Sequence, residues 1–176
     1  MDPGPRIELR PAWAADEPLL AQVFADARGG ELRSAGLGEL EVELLLGIQR
    51  RAQDAEYRAA YPQAEHSIIE VGGEAVGRIV IDRRPGEVRI VDIALRETCR
   101  GRGIGSSVLR ALQADAAATG RMLGLRVARG NPAGRLYARL GFREVAADEM
   151  YVEMAWLPEA WDCAGDSKLN NRGAAA

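Results

Sequence analysis

The chain has 176 residues, of which 47% are hydrophobic and 28% charged, and a formal net charge of −3. That length suffices for one domain with a real core, and acidic and basic residues are interspersed, so no broad nucleic-acid footprint appears. Two distant cysteines, Cys99 and Cys163, with no CxxC spacing and a single histidine, exclude a zinc cluster and give no disulfide framework.

Met1–Pro5 does not resemble a secretion signal and no apolar run approaches membrane-spanning length, so the expectation is a protein of the reducing cytoplasm, with no membrane or nucleic-acid partner. Ile7–Arg10 reads as a first strand. Pro11–Glu17 turns into a helix with Asp16 as N-cap and Leu19, Leu20, Val23 and Phe24 on its apolar face, ended by Gly29-Gly30. A second helix is predicted from about Glu39 to Ala60, burying Leu40, Leu44, Leu45, Ile48, Ala52 and Ala55 and stopped by Pro62. From Ser67 the period becomes strand-like. Ser67–Val71 and Ala75–Asp82 flank Gly72-Gly73, a hairpin signal, and Pro85-Gly86 turns into the strand Val88–Leu95. A helix over Ser106–Ala118 carries Val108, Leu109, Leu112 and Ala116 at helical spacing. The strand Met122–Ala128, the helix Pro132–Leu140 and a closing hairpin of Phe142–Val145 and Met150–Trp156 follow. The domain is expected to occupy residues 1–157. The polar, aperiodic tail from Pro158 to Ala176 is expected to be loosely held.

Between strand and helix lies Arg100-Gly101-Arg102-Gly103-Ile104-Gly105. Its glycines let the backbone pass close to a ligand, and its amides join those of the helix's first turn at the positive end of the helix dipole. With Arg100 and Arg102 alongside, this is an anion cradle suited to a diphosphate. A P-loop would need a Lys before Ser106, and none is there. A dinucleotide fingerprint would need its third glycine at position 106, where Ser106 stands, with Gly105 one place early.

The spacing Arg-x-x-Gly-x-Gly resembles the phosphate loop of the GCN5-related N-acetyltransferases. The downstream run Asn131-Pro132-Ala133-Gly134-Arg135-Leu136-Tyr137-Ala138-Arg139-Leu140-Gly141-Phe142 resembles the second motif of that family. The resemblance covers roughly Ile68 to Trp156, and more loosely the chain from Ile7. It implies a single α/β (α+β) domain with a mixed, mostly antiparallel sheet of about seven strands flanked by about four helices. The fourth and fifth strands would splay apart. It also implies acetyl-CoA as co-substrate, no metal, and direct acetyl transfer to a primary amine of an unidentified small molecule or protein.

By the same resemblance, Arg100, Gly101, Arg102, Gly103, Ile104, Gly105 and Ser106 would hold the pyrophosphate. The backbone of Ile93, Ala94 and Leu95 would pair with the pantetheine arm, and the amide near Leu95 would face the thioester oxygen. Asn131 caps its helix and, by resemblance, also bonds the pantetheine arm. Tyr137 matches the family's general acid; on its helix alone it would simply be a core tyrosine. Asp92 is the candidate base, with a hydrogen-bonded sheet-surface role as the other reading. Gln53, Tyr57 and Tyr61 form a polar stripe that either faces water or lines the acceptor pocket. His66 and Cys99 read as structural. Dimerisation is common in such folds, and a homodimer is among the expectations. Two other classes share the loop: a non-catalytic coenzyme A-binding module on the same fold, and a nucleotide-binding regulator.

Overall fold

Alternating and continuous apolar runs place the strands, and a computed structural model of the chain describes residues 6–158. The elements are β1 (Ile7–Pro11), α1 (Glu17–Ser34), α2 (Glu39–Ala60), β2 (Glu65–Val71), β3 (Glu74–Arg84), β4 (Glu87–Leu95), α3 (Ile104–Ala118), β5 (Met122–Ala128), α4 (Ala133–Arg139), β6 (Arg143–Ala147) and β7 (Tyr151–Trp156). This is the element order read from the sequence. Seven strands form one sheet in the order β1-β2-β3-β4-β5-β7-β6. The β1–β2, β2–β3, β5–β7 and β6–β7 pairs are antiparallel, and β4–β5 is parallel. The tail from Glu159 onward, Cys163 and residues 1–5 lie outside the described residues, and with them the expectation of a loosely held tail.

The chain gathers into two compact units, Met1–Asp82 with Val91–Ser107, and Arg83–Ile90 with Val108–Ala176. In the first, β3 is buried continuously from Val76 to Asp82, the pattern of a strand covered on both faces. Gly72 and Gly73 close the β2–β3 hairpin with φ of 59° and 83°, the paired left-handed geometry of a type I′ turn. α1 and α2 pack through Phe24, Val42 and Leu46, with Ala25, Leu32 and Leu37 against them. In the second unit, Val88, Ile90, Leu109, Leu112, Leu123, Leu125, Phe142 and Met154 are buried. There the Glu87 carboxylate lies over Gly124 of β5, where a Cβ would come within 2.5 Å of its Oε1.

Three expectations are corrected. α1 does not end at Gly29-Gly30 but continues to Ser34. Gly29 is buried, and a Cβ there would lie 2.9 Å from the flexible end of Arg33 and in ordinary contact with Leu46 Cδ1 at 3.6 Å, so the position carries the helix on rather than ending it. Asp16 occupies the N-cap position of α1 without capping it. Its carboxylate turns back to the Trp13 amide (2.8 Å) and to both terminal nitrogens of Arg10 (2.7 Å each). The guanidinium holds the Asp16 carboxyl down at about 2. Finally, α2 buries Val42, Leu46 and Arg50, while Leu40, Leu44, Ile48, Ala52 and Ala55 are exposed and Leu45 only partly covered.

The end of β4 is fixed by a glycine on its neighbour. A Cβ on Gly77 of β3 would drive into the carbonyl oxygen of Ala94 and lie 2.7 Å from Leu95 Cδ2. The Arg96 amide donates to the Val76 carbonyl at 2.9 Å just beyond. Gly77→Ala is therefore expected to destabilise by about 1–3 kcal/mol in urea unfolding. Gly30→Ala, on the exposed side of α1 with nothing within 4 Å, should instead gain up to about 1 kcal/mol.

Candidate active site

The chain leaves β4 at Leu95 through a single 3-10 turn, Glu97–Cys99, which buries Cys99 against the interior and delivers the backbone to the glycine loop. Gly101 and Gly103 both take left-handed angles, φ of 73° and 81°, which side chains with a Cβ rarely adopt. The loop can therefore double back and start α3 at Ile104, whose side chain is buried as an anchor. The Ser107 amide makes the first α3 bond, to the Gly103 carbonyl (3.0 Å). The amides of Ile104, Gly105 and Ser106 precede it at the positive end of the helix.

The two loop arginines are not equivalent. Arg100 is committed to the scaffold: its Nε donates to the Leu95 carbonyl (3.1 Å) and its Nη1 to the Asp26 carbonyl (3.3 Å). The Asp26 carboxylate also accepts from the Glu97 amide (2.7 Å), so α1 braces the base of the loop. Arg102 is exposed on the loop itself.

On the same unit, Asp92, Gln53 and Tyr57 come together around a residue the sequence reading passed over. Arg78 of β3 is buried, and it donates through Nε to Asp92 (2.7 Å), through Nη1 to Asp54 (2.9 Å) and through Nη2 to Gln53 Oε1 (2.8 Å). Its guanidinium carbon lies 6.0 Å from the centre of the Tyr57 ring. Asp54 also accepts from buried Arg50 (3.1 Å), which in turn is ion-paired with Glu17. Burial, followed by the charge of Asp92, pushes the Tyr57 phenol well above its ordinary value, so it stays a neutral donor. Burial also lowers His66, with the positive charges of Arg58 and Arg78 adding to the effect. Arg78 was legible in principle. An arginine set among Val76, Ile79, Val80 and Ile81 in one strand points to a buried guanidinium, and a buried guanidinium needs carboxylates.

The second unit holds the downstream motif. Asn131 Oδ1 accepts from the Ala133 amide (2.9 Å) and its carbonyl from the Gly134 amide (3.0 Å), so this asparagine opens α4 as expected. The other end of α4 is a Schellman cap. The Phe142 amide bonds the Tyr137 carbonyl (3.1 Å) and the Gly141 amide the Ala138 carbonyl (3.0 Å), with Gly141 at φ 84°. The Tyr137 and Phe142 rings sit 5.8 Å apart at 60°, the apolar contact that accompanies such a cap. Gln113 of α3 donates to the Leu140 carbonyl (2.7 Å) and secures the turn. Tyr137 is buried. The parallel pairing of β4 with β5 runs from Glu87–Met122 to Ile90–Leu125, after which β4 continues to Leu95. Tyr61 is partly buried just past the end of α2, its amide bonded to the Tyr57 carbonyl (2.8 Å).

Comparison with known proteins bears on this arrangement. The family model of the acetyltransferase (GNAT) domain matches residues 62–144, a span that includes the glycine loop and the Asn131–Phe142 motif. Among solved structures, the chain resembles the PaiA N-acetyltransferase of Thermoplasma acidophilum in complex with coenzyme A. The TM-score is 0.61 at 17% identity, over 86% of this chain and 99% of that one. It also resembles an acetyltransferase of Thermus thermophilus, with a TM-score of 0.62 at 22% identity over 86% and 96%. A third likeness is to the ribosomal-protein-S18-alanine N-acetyltransferase of Escherichia coli, with a TM-score of 0.54 at 17% identity over 86% and 94%. The mixed seven-stranded sheet with its parallel β4–β5 pair is the fold these proteins share.

Removing the central cation tests the ion network directly. Arg78→Met should cost about 3–5 kcal/mol in urea unfolding, because partly buried Asp54 and Asp92 lose their shared counter-ion. Replacing exposed, scaffold-free Arg102 by Met should leave unfolding within about 0.5 kcal/mol of wild type.

Proposed function

Because residues 62–144 match the family model of the acetyltransferase (GNAT) domain, we propose that the chain transfers the acetyl group of acetyl-CoA to a primary amine by direct attack in a ternary complex. The acceptor is a small molecule or a protein amine. The observation that carries this reading is the turn Arg100–Ser106, with two left-handed glycines feeding the amides of α3 into one small space. A pyrophosphate takes those amides as donors, Arg102 adds charge, and Arg100 keeps the turn in shape. The backbone of Ile93, Ala94 and Leu95, past the last β4–β5 pair, takes the pantetheine arm as an added strand. Asn131 adds a bond to that arm.

The chemistry asks for four things: a neutral amine, alignment, a donor for the oxyanion, and a proton for the leaving thiolate. The amine nitrogen attacks the thioester carbonyl and the oxygen takes up negative charge against the amide near Leu95. The C–N bond forms, the C–S bond breaks, and the thiolate receives the proton of the Tyr137 hydroxyl. Asp92 takes the proton lost by the amine through Oδ1 while Oδ2 stays on Arg78. Gln53, Tyr57 and Tyr61 line the acceptor site. Arg78 holds the Gln53 carbonyl oxygen, and the side-chain amide group serves as a donor to the acceptor. Thiol release with a panel of amine acceptors tests the activity as a whole; binding of acetyl-CoA without thiol release for any amine would leave only a binding module.

Two substitutions separate binding from chemistry. Gly103→Asp should abolish acetyl-CoA binding in calorimetry while circular dichroism stays that of wild type, since it strains the turn at φ 81° and sets a carboxylate against the pyrophosphate. Wild-type affinity would remove the cradle. Tyr137→Phe keeps the ring that caps α4, so kcat should fall by about a hundredfold or more with acetyl-CoA affinity unchanged. A loss confined to KM would assign Tyr137 to packing alone.

A further inference from the structure

The way Arg78 shares out its hydrogens leaves polar atoms over on its partners. Nε and Nη2 form one edge of a guanidinium, the edge that commonly takes both oxygens of a single carboxylate. Here Asp92 Oδ2 accepts from Nε (2.7 Å) and Gln53 Oε1 from Nη2 (2.8 Å). With the edge divided between two residues, Asp92 Oδ1 is spared and the Gln53 amide lies beside the carboxylate. A guanidinium only donates, so it holds the oxygen of Gln53 and not the Nε2 group. Tyr57 stands one turn further along α2 on the same side as Gln53, its ring 6.0 Å from the guanidinium carbon. The structure gives no hydrogen bond to Gln53 Nε2, Tyr57 Oη or Asp92 Oδ1, and among the described residues no buried side-chain nitrogen or oxygen lacks a partner. All three atoms therefore reach solvent.

Their hydrogen-bonding sense is fixed. Gln53 Nε2 donates. Burial, followed by the charge of Asp92, keeps the Tyr57 phenol protonated, so it offers a hydrogen as well. Asp92 Oδ1 only accepts. An amine N–H satisfies Asp92 and leaves two donors that want an oxygen. A bare alkyl chain would cover those donors without pairing them. The oxygen that suits them is neutral. Arg78 is already matched by Asp54 and Asp92, and Asp92 repels a second carboxylate at its side. Arg28 and Glu56, the other charges felt at Tyr57, are exposed and of opposite sign. Because Asp92 and Gln53 hang from neighbouring nitrogens of one edge, the nitrogen and oxygen they receive must be close together in the acceptor.

We propose that the acceptor is an amine with a neutral oxygen, a carbonyl or a hydroxyl, on the carbon next to the amine-bearing one, the amine meeting Asp92 Oδ1 and the oxygen meeting Gln53 Nε2 and Tyr57 Oη. It rests on the acetyl transfer proposed above and narrows its acceptor: a lysine side chain carries no such oxygen.

Thiol release from acetyl-CoA by the full chain is compared for glycinamide, 2-aminoethanol, propylamine and glycine, each at the same concentration of unprotonated amine. Glycinamide or 2-aminoethanol should exceed propylamine in kcat/KM by about tenfold or more, with glycine below both. Which of the two leads tells a carbonyl from a hydroxyl. Tyr57→Phe removes one donor whose oxygen has no partner in the fold. Gln53→Glu keeps an oxygen on Arg78 while replacing the other donor by an acceptor. Each should cut the preference over propylamine by about tenfold or more, with the thermal midpoint held. A wild type that uses propylamine or glycine as well as the oxygenated amines overturns the proposal and leaves acetyl transfer in place. A preference kept in full by either variant overturns it equally, because selection then lies elsewhere. Thiol release with none of the amines removes the reaction itself, and this acceptor with it.

Discussion

A guanidinium buried in the middle of a strand decides how the first unit is built. Arg78 is surrounded by apolar neighbours on β3 and must be neutralised where it stands. Leaving such a charge unpaired costs about 3–5 kcal/mol, more than burying any single leucine returns. The partners come from two directions: Asp92 from β4, and Asp54 with Gln53 from α2. Both elements are thereby fixed in rotation as well as position. Asp92 is presented by the strand that leads to the glycine loop, and the Gln53–Tyr57 side of α2 is turned to meet it. The residues read from the sequence as base and acceptor wall are coupled through an arginine that the reading had not considered.

The same constraint explains why one helix face was misjudged. Ranked by hydrophobicity, the Leu40–Leu44–Ile48 stripe is the richer side of α2, and periodicity alone assigns it to the core. The opposite side carries Val42 and Leu46, but also Arg50, Gln53 and Asp54, which look like surface residues in isolation. Only when Arg78 is recognised as buried does the polar side become the inner one, because it brings the carboxylate that β3 requires. Hydrophobic patterning treats each helix alone, whereas a buried ion pair is a property of two elements at once. A similar limit applies to Gly29-Gly30. Glycines in a helical run read as a stop, yet neither Gly29 nor Gly30 takes a left-handed angle, and the helix ends instead at Ser34 before Gly36 at φ 84°.

What sequence did carry was the order of elements, the hairpin at Gly72-Gly73, and both motifs with their local geometry. These features are local. A left-handed glycine, an Asx-capped helix start and a glycine-terminated helix end are each determined within about six residues, so they survive without knowledge of the tertiary fold. The role of Arg100 was visible only in part. Its charge suggested a ligand contact, and its Nε and Nη1 also donate to the Leu95 and Asp26 carbonyls, which ties the turn to β4 and α1.

The Asn131–Phe142 motif shows how a signature that marks function can be, residue by residue, a statement about folding. Asn131 starts α4, Gly141 reverses the chain in the left-handed conformation, and Phe142 closes the Schellman cap on the ring of Tyr137. The cap asks only for the aromatic ring of Tyr137 and not for its phenolic oxygen. A phenylalanine would cap α4 as well, and would forgo the cost of burying a hydroxyl. The ring is thereby set by the helix end, through backbone angles and a neighbouring aromatic that are both legible within a dozen residues of sequence.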